Sequence, residues 1–323
     1  MYVEYYKLRD KPFRMSPDPA FLYLSPTHRE AIAALTYSIG KMMGFLSLTG
    51  EVGTGKTMVL RTYLRQIDRN RVKALYLFNP DLTFSELVRE MCRELELPIA
   101  PNDTSTAVRA IHKCLIKRYI EGLRIVLVVD EAHLMPVDTL ERLRILSNLE
   151  TRRHKLLQIV LSGQPELNTL LGSHELRQLK QRIGVSVDLS PLSYNESLEY
   201  LRYRLAKVSR GHDSPMDEGA LKRIAAYAKG IPRVLNSVAD GALLAGYASQ
   251  KNPVTAHVVS EVLRKIEGKK ILLGDVLPSA IAGNFFRRRP KLAGRKRGAA
   301  KLQVKEKQNM SSEDVSTAEL GSG

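Results

Sequence analysis

No apolar run in this 323-residue sequence reaches the ~18 residues that a membrane-spanning helix needs. The longest candidate, Ile271 to Phe286, is short and carries Asp275. No basic stretch leading into an apolar one opens the chain in the manner of a secretory signal. Cysteine is scarce: Cys92 and Cys114 are the only two, and they lie in helix-like stretches without metal-ligand spacing. Disulfide and zinc frameworks are excluded, and two buried thiols in a reducing compartment are expected. The expected location is therefore cytoplasmic.

Acidic side chains are also in short supply, with 34 Asp and Glu against 50 Lys and Arg, a formal net charge of +16. An acidic surface or a polyanion enters as a partner class. The distribution of this charge matters more than its sum: residues 1–284 hold about +10, a moderate excess spread over many helices. Residues 285–307 carry ten basic side chains, from Arg287 to Lys307, against Glu306 alone. The rest of the composition, 44% apolar and 26% charged, is that of a globular protein with chain enough for one large domain or two small ones.

From residue 44 to 190 short apolar runs alternate with amphipathic segments, the pattern of a parallel sheet flanked by helices. Five strands are predicted, at 44–49, 72–78, 125–130, 157–162 and 185–188, each apolar enough to be buried on both faces. Thr83 followed by Glu86 is a capping-box pattern. Met135-Pro136 precedes a helix whose Leu140, Leu143, Leu146 and Leu149 form a core stripe. Residues 191–267 read as helices alone, at about 193–208, 217–228, 232–248 and 255–267. Ahead of the sheet, residues 1–43 form a proline-studded segment and then a helix opened by Ser25-Pro26, with proline at the first helical position. Residues 268–323 read as a basic, disordered tail.

Gly50-Glu51-Val52-Gly53-Thr54-Gly55-Lys56-Thr57 fits G-x-x-x-x-G-K-[ST], with a strand before it and the helical Met58-Val59-Leu60 after it. Glycines there let successive backbone N–H groups turn onto a phosphate chain, and the helix N-terminus adds its positive end. Lys56 would reach the β- and γ-phosphates of ATP, and the Thr57 hydroxyl would ligate Mg²⁺. A second apolar strand ends in Asp130-Glu131. Asp130 would hold the Mg²⁺ through its water shell, and Glu131 would polarise the attacking water. His133 completes Asp-Glu-Ala-His, a tetrad also seen in helicases, but the chain is too short for two helicase motor domains. At the end of the fourth strand Gln164, with Ser162 as fallback, would touch the γ-phosphate or the water. Capping of the helix that Pro165 opens is the alternative for Gln164.

Transition-state charge calls for a cation as well. Arg177 and Arg182, just before the last strand, would project away from their own site and serve a neighbouring subunit; a solvated helix face is the alternative. Arg233, in the first turn of the helix opened by Gly230-Ile231-Pro232, would swing over the phosphates from the helical lid.

These residues, with Ser162-Gly163-Gln164-Pro165-Glu166-Leu167 and Gln181-Arg182-Ile183, resemble those of AAA+ ATPases. The opening, Lys11-Pro12-Phe13, Pro17-Asp18-Pro19 through Ser25 and His28-Arg29-Glu30-Ala31, is similar to the ExeA type, the general secretion pathway protein A family. The resemblance covers residues 1–267. It implies a five-stranded P-loop sheet with a helical lid, ATP and Mg²⁺ bound between subunits of a ring or filament, and Tyr23 and Leu24 near the adenine. Secretion members continue into a membrane-spanning helix and a peptidoglycan-binding domain, which this sequence lacks, so a membrane-anchored partner encoded elsewhere is expected. Short proteins with this core also resemble the TnsC, TniB and MuB regulators of transposition. The basic tail suits their work with DNA and a transposase, since each neutralised phosphate releases counterions.

Overall fold

The computed structural model describes residues 1–77, 79–98, 103–211 and 214–267. The basic segment 285–307 and the tail 268–323 lie outside the described residues. A short helix α1 (Tyr2–Tyr5) is followed by an irregular strap and α2 (Pro26–Lys41). Strand β1 (Phe45–Thr49) then leads through the glycine-rich loop into α3 (Lys56–Gln66). After β2 (Val72–Leu77) come α4 (Phe84–Glu94), α5 (Thr104–Ile120), β3 (Arg124–Val129) and α6 (Val137–Ser147). Strand β4 (Leu157–Gly163) precedes α7 (Glu166–Leu171), α8 (Arg177–Lys180) and the last strand, β5 (Ile183–Asp188). Four helices complete the described chain: α9 (Tyr194–Val208), α10 (Glu218–Ala228), α11 (Pro232–Ala248) and α12 (Ala256–Glu267).

The helix starts follow local chemistry. Ser25 caps α2, its hydroxyl accepting from the His28 backbone N–H, with Pro26 in the first turn. Thr83 and Glu86 form a reciprocal capping box at α4, and Ser193 with Glu196 forms another at α9.

The strands form one parallel sheet in the order β2-β3-β4-β1-β5. Alternation along β3 sends Ile125, Leu127 and Val129 to one face, against α4, α5 and α6. Val126 and Val128 go to the other, with Leu35 and Ile39 of α2 and Val59 and Leu60 of α3. The leucine stripe of α6 lies in the first of these cores. Two expectations need correction. The two edge strands are not buried on both faces: in β5 Gly184, Ser186 and Asp188 are exposed, and in β2 Lys73, Ala74 and Tyr76 are half-buried. Cys114 is half-buried, because it lies off the inward face of α5 that Ala107, Ile111 and Leu115 occupy.

A third core joins α9–α12 to the start of the chain: Tyr2, Tyr6, Leu8, Phe13 and Phe21 pack with Leu201, Leu235 and Leu243. The strap is therefore fastened to the helical layer, while α2 is fastened to the sheet. The Tyr2 hydroxyl donates to Asp240, the Arg9 backbone N–H to the Val208 carbonyl (2.7 Å), and Arg204 Nε to the Pro12 carbonyl (2.6 Å). Among the described residues no helix is long and apolar enough to cross a membrane.

Candidate nucleotide-binding site

All five strands point the same way, so the loops after β1, β3 and β4 gather at one end of the sheet, and β4 lies between the other two. A cavity of about 350 Å³ opens there between the sheet and the helical layer. Val52 through Met58 line it together with Glu131, Gln164 and Arg233. Gly50 and Glu51 form the start of the loop without lining the cavity, and Val52 is exposed at its crest.

Lys56 is only 6% exposed, and its Nζ donates to the carbonyls of Gly50 (2.7 Å) and Glu51 (3.0 Å). Burial lowers its pKa, opposed by the charges of Glu131 and Asp130. Close backbone approach accounts for two of the glycines. At Gly53, with φ of +83°, a Cβ would lie 2.6 Å from Arg233 Cβ; at Gly55, with φ of +111°, it would lie 2.9 Å from His28 Nε2. The loop is thus clamped between α11 and α2. The Arg233 backbone N–H donates to the Gly53 carbonyl at 3.3 Å, which ties the helical layer directly to the loop.

Asp130 stands just beyond β3. Its Oδ2 accepts from the Thr57 hydroxyl (2.8 Å) and the Tyr76 phenol (2.7 Å), and its Oδ1 accepts from the Ser162 hydroxyl (2.9 Å) and the Glu131 N–H (3.1 Å). Adjacent hard oxygen donors on Thr57 and Asp130 fit a Mg²⁺ ion. Glu131 adopts a left-handed backbone with φ of +53°, uncommon outside glycine and typical of functional turns. One of its oxygens, Oε2, is shielded from solvent, has no hydrogen-bond partner among the described residues, and sits 3.6 Å from His133 Nδ1. The Gln164 N–H donates to the same imidazole nitrogen (3.4 Å), so the turns after β3 and β4 are joined there. Ser162, the fallback for Gln164, is instead committed to Asp130.

The remaining arginines are elsewhere. Arg182 is half-buried and donates to Ser147 Oγ (2.9 Å) and to Asn148 at the C-terminal end of α6; Arg177 is exposed at the start of α8. Phe45 pairs with Ile183 and Thr49 with Asp188, so Arg182 is level with the start of β1, whereas the loop follows its end. Roughly 15 Å of strand separates them. Of the two positions tied to adenine, Tyr23 lines the cavity, but Leu24 does not and is 46% exposed, because successive residues of an extended segment face opposite ways.

Several lining groups were not assigned to the site from the sequence. His28 is buried, accepts from or donates to Ser25 Oγ through Nδ1 (2.5 Å), and has its pKa lowered, mainly by burial. Tyr200, Arg204 and Asn236 form a buried chain. Arg204 donates to the Tyr200 hydroxyl (2.8 Å), which donates to Asn236 Oδ1 (2.8 Å), and the guanidinium lies 5.0 Å from the Phe21 ring centroid. The strap residues Met15, Pro17 and Leu22 also line the cavity. Tyr76 read as an ordinary strand residue.

Residues 41–171 match the AAA domain family. Over 273 residues the chain is 39% identical to the general secretion pathway protein A of Aeromonas hydrophila. The chain contains an AAA domain. The match covers 83% of the chain and 49% of the relative, so the chain spans about half the length of that curated relative. Among solved structures, the Aeropyrum pernix ORC2 protein in its ADPNP-ADP complexes is similar with a TM-score of 0.61 at 17% identity, over 80% of this chain and 72% of that one. Cdc6p from Pyrobaculum aerophilum reaches 0.62 at 18% identity, over 79% and 70%. At these identities the structural likeness establishes the AAA+ fold, the parallel sheet with its helices.

Proposed function

We propose that this AAA+ protein binds ATP with Mg²⁺ in the cavity and hydrolyses it, as a cytoplasmic, nucleotide-controlled oligomer serving secretion or envelope assembly. One observation carries the catalytic reading: the phosphate loop with Thr57, then Glu131, then Arg233 line one cavity although they come from three separate stretches of chain, and Asp130, next to Glu131, is bonded to Thr57. Loop N–H groups and Lys56 would hold the phosphates. Thr57 and Asp130 would hold Mg²⁺, which when bound neutralises phosphate charge. Glu131, whose Oε2 accepts no hydrogen bond among the described residues, would accept one from the attacking water and align it. Arg233 adds positive charge from the helical side. Arg182, too far from its own loop, would serve the site of an adjoining subunit in a ring or filament, with Arg177 as the more exposed second candidate.

The secretion role is supported by the 39% identity to general secretion pathway protein A, and a membrane-anchored secretion partner goes with it. A second reading, a DNA-bound ATPase that regulates a transposase, is favoured by the ten basic residues within 285–307. Equilibrium binding of a fluorescent ATP analogue tests the shared core. The Lys56→Ala chain should bind at least 10-fold more weakly than wild type; equal affinity would remove the phosphate loop from its assigned role.

A further inference from the structure

Asp130 is held by donors from four directions, and they differ in what they do besides. The Glu131 N–H is backbone. Thr57 belongs to the phosphate loop and is itself assigned to the metal. Ser162 and Tyr76 remain, two side chains that hold opposite oxygens of the carboxylate, Oδ1 and Oδ2.

The position of Tyr76 follows from register. Tyr76 pairs with Val128 across β2 and β3, and both lie on the sheet face that packs against α2 and α3. Asp130 is two residues beyond Val128 and so emerges on that same face. The diagonal from one strand to a residue two places further on its neighbour is about 7–8 Å. A phenol spans that gap, and its hydroxyl arrives at 2.7 Å from Asp130 Oδ2; a serine or threonine at position 76 would fall short. Tyr76 is not among the residues lining the cavity, so it acts on Asp130 rather than on nucleotide.

We propose that Tyr76 is a positioning residue for the metal: its hydroxyl fixes the Asp130 carboxylate from the neighbouring strand and thereby sets the affinity for Mg²⁺. Oδ2 carries two hydrogen bonds, from Thr57 and from Tyr76. A hydroxyl recruited as a metal ligand is drawn toward the cation, which weakens its hold on the carboxylate. Tyr76 then remains as the side-chain anchor of that oxygen, with Ser162 anchoring the other. Groups that orient metal-holding carboxylates typically change metal affinity 10–100-fold when removed.

The inference rests on the assignment of Thr57 and Asp130 to Mg²⁺, and the experiment separates the two. The full chain and its Tyr76→Phe variant, which keeps the ring in its packing and removes only the hydroxyl, are titrated with Mg²⁺ while binding a fluorescent ATP analogue. The binding is repeated in EDTA. The variant should need on the order of 10-fold more Mg²⁺ for half its effect, with metal-free affinity within about twofold of wild type. An unshifted Mg²⁺ midpoint overturns the inference. So does equal weakening with and without metal, which would make Tyr76 merely structural. A wild-type chain whose nucleotide binding ignores Mg²⁺ overturns the metal assignment itself, and this inference with it.

Discussion

His28 shows how much a single side chain at the edge of the phosphate loop can determine. Its ring sits where a side chain at Gly55 would be, and its Nδ1 is joined to the Ser25 hydroxyl that caps the same helix. The ordinary imidazole pKa of 6.5 is lowered by burial, against smaller opposing effects from the Thr54 backbone and Glu196. As pH falls through 6.5, the unfolded chain takes up a proton that the folded chain refuses, so stability is full above that pH and declines below it. Thermal melts at pH 8 and pH 5 should show a smaller acid-side loss for His28→Gln than for wild type. Identical losses would show that His28 titrates alike in both states.

At the scale of elements, the N-terminal strap joins two layers that sequence separates. Its apolar residues fill the core of α9–α12, and Arg204 fastens it by a hydrogen bond to the Pro12 carbonyl and by stacking on Phe21, at 3% exposure. Arg204→Ala leaves that carbonyl and the Tyr200 hydroxyl without their donor, and should cost about 2–4 kcal/mol, read as a lower denaturation midpoint in urea. A loss below about 0.5 kcal/mol would mean the strap is held by its apolar residues alone. This element also marks what the sequence could and could not disclose. Strands β1, β3 and β4 were legible because burial on both faces makes them continuously apolar, and helices α9–α12 because their periodicity and caps are local. The strap was not: a proline-studded stretch has no period, and its partners, such as Arg204 and Asp240, are about 200 residues away. The phosphate loop and Asp130-Glu131 were legible as contiguous motifs. Tyr76 was not, because its link to Asp130 exists only through the pairing of β2 with β3.

Over the whole molecule, the net charge of +16 separates into parts with different work. Lys56 and Arg233 face the cavity, Arg182 is held against the end of α6, and Arg204 is enclosed by aromatic rings, so none of these is free for a polyanion. The basic segment 285–307 stands apart from them in sequence and is the natural focus for any contact with DNA. Both proposed roles would draw on the same proposed engine, in which the helical layer would report through Arg233 on what the loop holds. The most direct measurement is steady-state phosphate release from ATP and Mg²⁺ by the full chain beside its Glu131→Gln variant, each at saturating nucleotide. Wild type should turn over, and the variant should bind ATP as tightly yet release phosphate at least 100-fold more slowly. Equal release by the two chains, or none by wild type, would contradict the assignment of this cavity as an ATP-hydrolysing site.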